Sequence, residues 1–269
     1  MAISKIGFFK KINMSITDFS FYKVIIQEST GKAIIYLIFL SMLLSILPSI
    51  KIAYLINDEI NYIEQKISYF ELKNGELNVV GDMPIFIEIY DNLAIIDTTN
   101  QTNESILNNF QHKRVFLITN KKISGRIGTQ YREILLKNLK IKDFNKDDLK
   151  LILFIIKFIV IILCILWVVL STIIHKLMNS LFINVVGVIV NLIYKANLEY
   201  KDIYKIGIYC MTLPSILISI IGQIDFPNLN FLLFFAYYII VILYLIKAIT
   251  EIKKENEINL SQNINNTVN

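Results

Sequence analysis

The sequence predicts an α-helical integral membrane protein with about four transmembrane helices plus an amphipathic helix, and a small α+β extracytoplasmic domain inserted after the first helix. Three observations predict it. First, 55% of the 269 residues are hydrophobic and the mean hydropathy is +0.55, whereas soluble domains sit at roughly 45–50% apolar. Second, the excess is concentrated. Residues 33–50, 158–174, 206–224 and 226–246 contain no Asp, Glu, Lys or Arg, and a bilayer core takes about 20 apolar residues as a helix. Third, between the first and second of these runs the pattern changes to short alternating stretches separated by turns, the signature of small strands.

Along the chain, residues 1–32 carry Lys5, Lys10, Lys11, Lys23 and Lys32 among Phe8, Phe9, Phe19, Phe21 and Tyr22. The polar lead is too long for a secretory signal and no small-residue cleavage pattern follows. The segment reads as cytoplasmic, either lying at the membrane surface through its aromatic and basic residues or forming a plain basic tail. Helix one covers 33–56. Within the domain at 57–150, Ile67–Leu72 and Leu77–Val80 read as strands across a turn at Lys73-Asn74-Gly75-Glu76, where Asn-Gly suits the positive backbone angles of a hairpin. Pro84–Tyr90 and Leu93–Asp97 read as further strands, and Glu104–Phe110 as a short helix. Arg114–Thr119 and Ile123–Ile127 form a second hairpin across Asn120-Lys121-Lys122. Near 143–150, Asp143 or Asn145 supplies a cap for the helix that enters the membrane.

The membrane helical region spans 151–250. Helix two covers 151–174, and 203–224 and 228–249 are the last two spans, followed by a polar tail at 251–269. The stretch 175–195 is amphipathic. Lys176, Ser180, Asn184, Gly187, Asn191 and Lys195 share one helical face, which suits either an interfacial helix or a spanning helix whose polar side faces the bundle. Lysine placement favours four spans with both termini cytoplasmic. That arrangement leaves the lysines of 1–32, Lys176, Lys195, Lys201, Lys205, Lys247, Lys253 and Lys254 inside, and none in the short outer connection from Gln223 to Asn228.

The net charge is +5, but residues 57–150 hold 13 Lys/Arg against 14 Asp/Glu, leaving 14 against 8 elsewhere. The basic surplus flanks the membrane segments, so its counterpart is the bilayer's anionic headgroups rather than nucleic acid. Cys164 and Cys210 fall inside hydrophobic runs, and His112 and His175 have no Cys or His neighbour in sequence, so no disulfide framework, metal site or cofactor is expected. The abundance of Ile, Asn and Lys is that of an AT-rich, low-GC Gram-positive bacterial genome.

Several segments carry a resemblance. They are Gly31-Lys32-Ala33-Ile34-Ile35-Tyr36-Leu37, Phe70-Glu71-Leu72-Lys73-Asn74-Gly75-Glu76-Leu77, Ala94-Ile95-Ile96-Asp97-Thr98-Thr99, and Tyr200-Lys201-Asp202-Ile203-Tyr204-Lys205-Ile206-Gly207-Ile208-Tyr209-Cys210-Met211-Thr212-Leu213-Pro214. In this order they resemble the bacterial membrane family of domain of unknown function 1189 (DUF1189) over most of residues 20–250. Some of its members are named for maltodextrin utilisation. The last segment also looks like the wider Yip-type membrane fold. The resemblance implies one helix, an external domain, then a group of helices. It implies no catalytic residue, and fold likeness says little about role.

Four residues are singled out. Lys51 and Lys157 are the charges nearest the hydrocarbon runs, and each either snorkels to the headgroups or holds an anion or lipid headgroup. Pro48 and Pro214 sit in the similar strings Ile46-Leu47-Pro48-Ser49-Ile50 and Thr212-Leu213-Pro214-Ser215-Ile216. Each should bend its helix and free carbonyls, for a ligand or for neighbouring side chains. Asp91 and Asp97 lie near turns, and a strand-end Asp followed by Thr more often bonds its own backbone than works as an acid–base pair. No nucleophile-elbow, zinc-helix or phosphate-loop motif occurs.

The leading expectation is a non-enzymatic accessory, scaffold or regulatory component of an envelope or transport system, acting through the external domain on a membrane or envelope protein partner. The alternative is a carrier or channel for a small solute, which at this size needs a homo-oligomer. A membrane-bound enzyme ranks last, since it needs converging polar residues at one depth and the helices offer few; Lys51, Lys157 and Asp225 around one cavity would revive it.

Overall fold

A computed structural model describes residues 6–66, 69–139, 143–224 and 227–268. The chain divides into two compact units: residues up to Lys51 together with those from Ile165 onward, and Ile52 to Cys164. Asp225 lies outside the described residues, as do Ile67 and Ser68 of the first expected strand.

The first unit is helical. It contains α1 (Phe8–Thr17), α2 (Phe21–Ile26), α3 (Thr30–Leu44), the start of α4 (Ile46–Lys66), the later part of α5 (Lys146–Tyr194), α6 (Tyr200–Cys210), α7 (Thr212–Ile221) and α8 (Leu229–Val268). The N-terminal segment is no plain tail. Phe21, Tyr22 and Ile25 are buried in one core with Tyr36, Leu37 and Leu40 of α3 and Ile206 and Tyr209 of α6. The Tyr36 and Tyr209 rings stack at 4.2 Å, and Tyr22 satisfies its hydroxyl by donating to the Ser15 carbonyl at 2.8 Å.

Helix one therefore starts three residues earlier than expected, breaks once, and runs ten residues further. Its break falls at Ser45, and the span expected at 203–224 breaks at Met211, in each case three residues before a proline. Proline offers no N–H to the carbonyl four residues back and its ring crowds that oxygen. The carbonyl opposite Pro48 is that of Leu44, and Ser219 Oγ of α7 donates to it at 3.0 Å. A neighbouring side chain thus bonds this acceptor.

Asn145 caps α5: its Oδ1 accepts from the amides of Asp147 and Asp148 at 2.9 and 3.1 Å. The expected boundary between 151–174 and 175–195 does not exist. No Gly or Pro interrupts residues 146–186, and one helix of 49 residues results, about 74 Å at 1.5 Å per residue. It stops where Lys195 takes φ +50°, with the Ala196 amide on the Asn191 carbonyl and the Lys195 amide on that of Leu192, a left-handed cap of the Schellman type. Asn179, Ser180, Asn184 and Gly187 are buried, whereas Leu192 and Ile193 are 69% and 68% exposed. The polar stripe faces the other helices and the apolar stripe faces out. Gly187 permits this packing, because a Cβ there would lie 2.6 Å from Ile203 Cγ2 of α6. The expected polar tail is also helical, continuing α8 to Val268, with Ile252 buried and Lys23 paired to Glu255 at 2.8 Å.

Four helical stretches, Thr30–Gln65, Lys146–Tyr194, Tyr200–Ile221 and Phe231–Ile258, are long and apolar enough to cross a membrane.

The second unit holds the sheets: β1 (Tyr69–Lys73), β2 (Glu76–Val80), β3 (Ile85–Ile89), β4 (Asn92–Ile96), β5 (Arg114–Ile118), β6 (Lys122–Ile127), β7 (Gln130–Leu135) and β8 (Phe144–Asn145). One sheet is ordered β2-β1-β8 and the other β3-β4-β5-β6-β7. The expected Asn-Gly hairpin forms between β1 and β2, with φ of +53° at Asn74 and +78° at Gly75 and Lys73 opposite Glu76. All pairs in the larger sheet are antiparallel except β4 with β5. The connection between those two carries a short 3₁₀ turn at Glu104–Asn108. Alternation divides the apolar residues between two faces. Ile85, Ile87 and Ile96 pack with Leu72, Leu77 and Val79 of the smaller sheet. Leu93, Ile95, Val115 and Leu117 cover Leu107 of the 3₁₀ turn.

Candidate functional site

In the sheet domain the two suspected carboxylates do not meet. Asp91 precedes β4 and Asp97 follows it, about 20 Å apart along an extended strand. Asp91 pairs with Lys113 at 2.8 Å on an exposed edge. Asp97 is wholly buried and accepts from the amides of Thr99 and Thr102 at 2.8 and 2.7 Å and from Thr99 Oγ1 at 2.5 Å. Burial alone would raise its pKa, but the bonds from Thr102 and Thr99 outweigh that and hold the carboxyl below its usual range. Asp97 thus organises a turn.

A concavity of this unit lies beside β7. It is a groove of about 380 Å³ between the 3₁₀ turn and β6–β7, lined by Glu104, Leu107, Asn108, Ser124, Tyr131 and Glu133 among others. Lys122 bonds Glu104, and reaches Glu133 at 3.3 Å; Ser124 Oγ donates to Glu104 at 3.1 Å. The Lys122 ammonium, then the Ser124 hydroxyl, hold Glu104 below the usual carboxylate range. Arg126 fixes the groove wall: its guanidinium donates to the carbonyls of Leu107 and Phe110 at 2.7 Å, and to those of His112 and Gly128 at 3.1 Å. On its other side β7 pairs with no strand among the described residues, and Gln130 to Ile134 are all exposed. Its Arg132 and Glu133 are the charges that keep an edge from pairing indiscriminately.

The two lysines picked out in the sequence belong to different units, and each bonds an acceptor within its own. Lys51 donates to the Gln223 carbonyl at 3.3 Å. Lys157 donates to Asn57 Oδ1 at 3.1 Å and stands over the Phe154 ring.

The sequence reading missed the charges packed among the helices. Lys11 pairs with Glu28 at 2.6 Å and also donates to the Tyr209 hydroxyl at 3.3 Å. Lys205, 3% exposed, pairs with Asp202 at 2.8 Å and donates to the backbone carbonyls of Glu28, at 3.0 Å, and Ile26. These bonds fasten α1 and α2 to α6. Lys176 Nζ donates to Ser215 Oγ at 2.8 Å, one residue past Pro214, and lies 4.8 Å from the Tyr237 ring centre. The readable signal was that Lys176 heads the polar stripe of α5.

Among the described residues, no group of three or more His, Cys, Asp or Glu side chains is placed to hold a metal ion, and Cys164 and Cys210 are free.

A family model described as "Protein of unknown function (DUF1189)" matches residues 9–249. No curated protein and no solved structure matches the chain.

Proposed function

We propose, for a chain that belongs to the DUF1189 family, a multi-pass membrane protein without catalytic activity, serving as an accessory or regulatory component of an envelope or transport system. Both termini lie in the cytoplasm and the sheet domain lies outside it, as lysine placement favours. The domain recognises an extended segment of a partner protein. The observation that carries this is the outer edge of β7, which pairs with no strand among the described residues, exposed from Gln130 to Ile134 and bordering a groove of about 380 Å³. An added strand would take main-chain bonds from β7 and set alternate side chains into the groove, the usual economy of strand addition. Inside the groove the charges already neutralise one another, so they favour orientation over acid–base chemistry.

A photo-crosslinking amino acid at Tyr131 or Ile134, followed by extraction in mild detergent, tests the reading. One membrane or envelope protein should be captured from both positions and not from Asn78 on β2. Capture of nothing above background, or of a different set from each position, would overturn it. The carrier alternative relies on Lys51 and Lys157, both of which already have acceptors within the chain.

A further inference from the structure

We propose that Lys176 and the aromatic cavity beside it bind the acid headgroup of an anionic amphiphile, a carboxylate or phosphate carried on an apolar chain. The cavity, of about 230 Å³, lies between α5, α7 and α8, with Asn179, Ile218, Phe234, Tyr237 and Tyr238 on its walls. Among the described residues Lys176 has no carboxylate within ion-pair distance. Its protein acceptor there is the Ser215 hydroxyl, and the Tyr237 face is its second electrostatic contact. Lys11 and Lys205, which reach in among α1, α2 and α6, each have a carboxylate partner.

A positive charge among apolar helices is costly unless compensated, and an ammonium has three donors, so this one is under-compensated by its own chain. Tyr238 does not compete for the ligand, because its hydroxyl is held on Asn179 Oδ1 at 3.1 Å. His175 also lines the cavity, and Ile218, Leu233 and the rings of Phe234, Tyr237 and Tyr238 make the rest of the wall largely apolar. Phe234 and the neighbouring Met178 are largely exposed on the apolar outer surface, so the cavity opens toward lipid rather than toward water. The volume is several times the ~30 Å³ share of a water molecule and somewhat under a drug-sized pocket of roughly 300–1,000 Å³. It fits a headgroup with the first part of its chain, the remainder lying along the outer surface. The occupant therefore comes from the lipid phase and not from solution. This site is separate from the β7 groove, and neither proposal depends on the other.

The full chain in phosphatidylcholine nanodiscs, labelled with a photoreactive fatty acid and mapped by mass spectrometry, tests this. Label should fall on α8 near Phe234–Tyr238. Oleate and lysophosphatidate should compete for it, and oleyl alcohol, which has the same chain without the acid, should compete about tenfold less well or worse. Lys176→Met should lose the label, and Lys176→Arg should keep it. Equal competition by oleyl alcohol would reduce the site to a greasy crevice. Competition by acetate or inorganic phosphate alone would make it a site for soluble anions. Either result, or unchanged labelling in Lys176→Met, overturns the proposal. If Lys176→Met does not assemble, the competition series on the native chain decides by itself.

Discussion

The helical unit and the sheet domain use the same ion pairs in opposite surroundings. Lys11 and Glu28 meet at 2.6 Å with side chains 11% and 4% exposed, whereas Lys113 and Asp91 meet at 2.8 Å with 83% and 67% exposed. The distances hardly differ, but the physics does. Water and salt screen the second pair and already solvate both of its ends. The first has been taken out of water, so each charge depends on the other. Polarity is inverted as well: α5 buries Asn184 and exposes Leu192, while β4 buries Leu93 and Ile95. The bilayer insertion proposed above accounts for this, because lipid offers apolar side chains no penalty for facing out and leaves polar groups to find each other.

If that contrast is right, the largest effect should come from Glu28→Gln. It leaves Lys11 beside a neutral amide and removes one of the contacts that hold α1 and α2 on α6. Breaking one end of a buried pair costs about 3–5 kcal/mol, enough to lower the thermal midpoint of the detergent-solubilised chain sharply. The double change Lys11→Met with Glu28→Leu should recover much of the loss, since no lone charge remains. A Glu28→Gln protein that melts with the native one would show that the pair is wet in solution and that the contrast fails.

Next in size is the close approach at Gly187. Gly187→Ala places a methyl 2.6 Å from Ile203 Cγ2, and overpacking of this kind costs about 1–3 kcal/mol. Ile203→Ala removes the opposing atom, so the double variant should be more stable than Gly187→Ala alone, a coupling that a double-mutant cycle measures. Additive losses would mean that α5 and α6 do not touch there.

What the sequence made legible follows from which signals are local. The four apolar runs, the β1–β2 hairpin at Asn74-Gly75 and the Asn145 cap are each written in a few consecutive residues. The structure carries all three, as it carries the helix breaks before Pro48 and Pro214. Missing were the features set by tertiary packing. Strand β7 reads Gln130-Tyr131-Arg132-Glu133-Ile134-Leu135, with no alternation because neither face is buried. The parallel pairing of β4 with β5 joins strands seventeen residues apart across a turn-rich connection. The continuity of α5 through His175 and Lys176 was hidden because polar residues on a bundle-facing stripe look like a surface. For the same reason Lys176 reads as a cytoplasmic charge on an amphipathic helix, while Lys51 and Lys157, conspicuous near apolar runs, have modest in-chain acceptors.

The smallest effects belong to the sheet domain, where they separate burial from charge. Asp97→Ala removes a buried acceptor of three hydrogen bonds and leaves the Thr99 and Thr102 amides without it, at about 1–3 kcal/mol. The loss should appear as faster hydrogen exchange in β4 and in residues 97–103. Its pH dependence has a definite sign. The Asp97 carboxyl is held below its usual value in the fold, so its stabilisation is complete above the unfolded pKa, near 4. It is lost as pH falls through the lower folded value. Native and Asp97→Asn chains should therefore converge in stability under acid conditions and diverge toward neutrality. Lys113→Ala, by contrast, removes an ion pair of similar length, and should leave both the exchange pattern and the thermal midpoint unchanged at physiological salt. A clear loss in that variant would mean that the exposed edge carries stability, and that burial is not what separates the two regions.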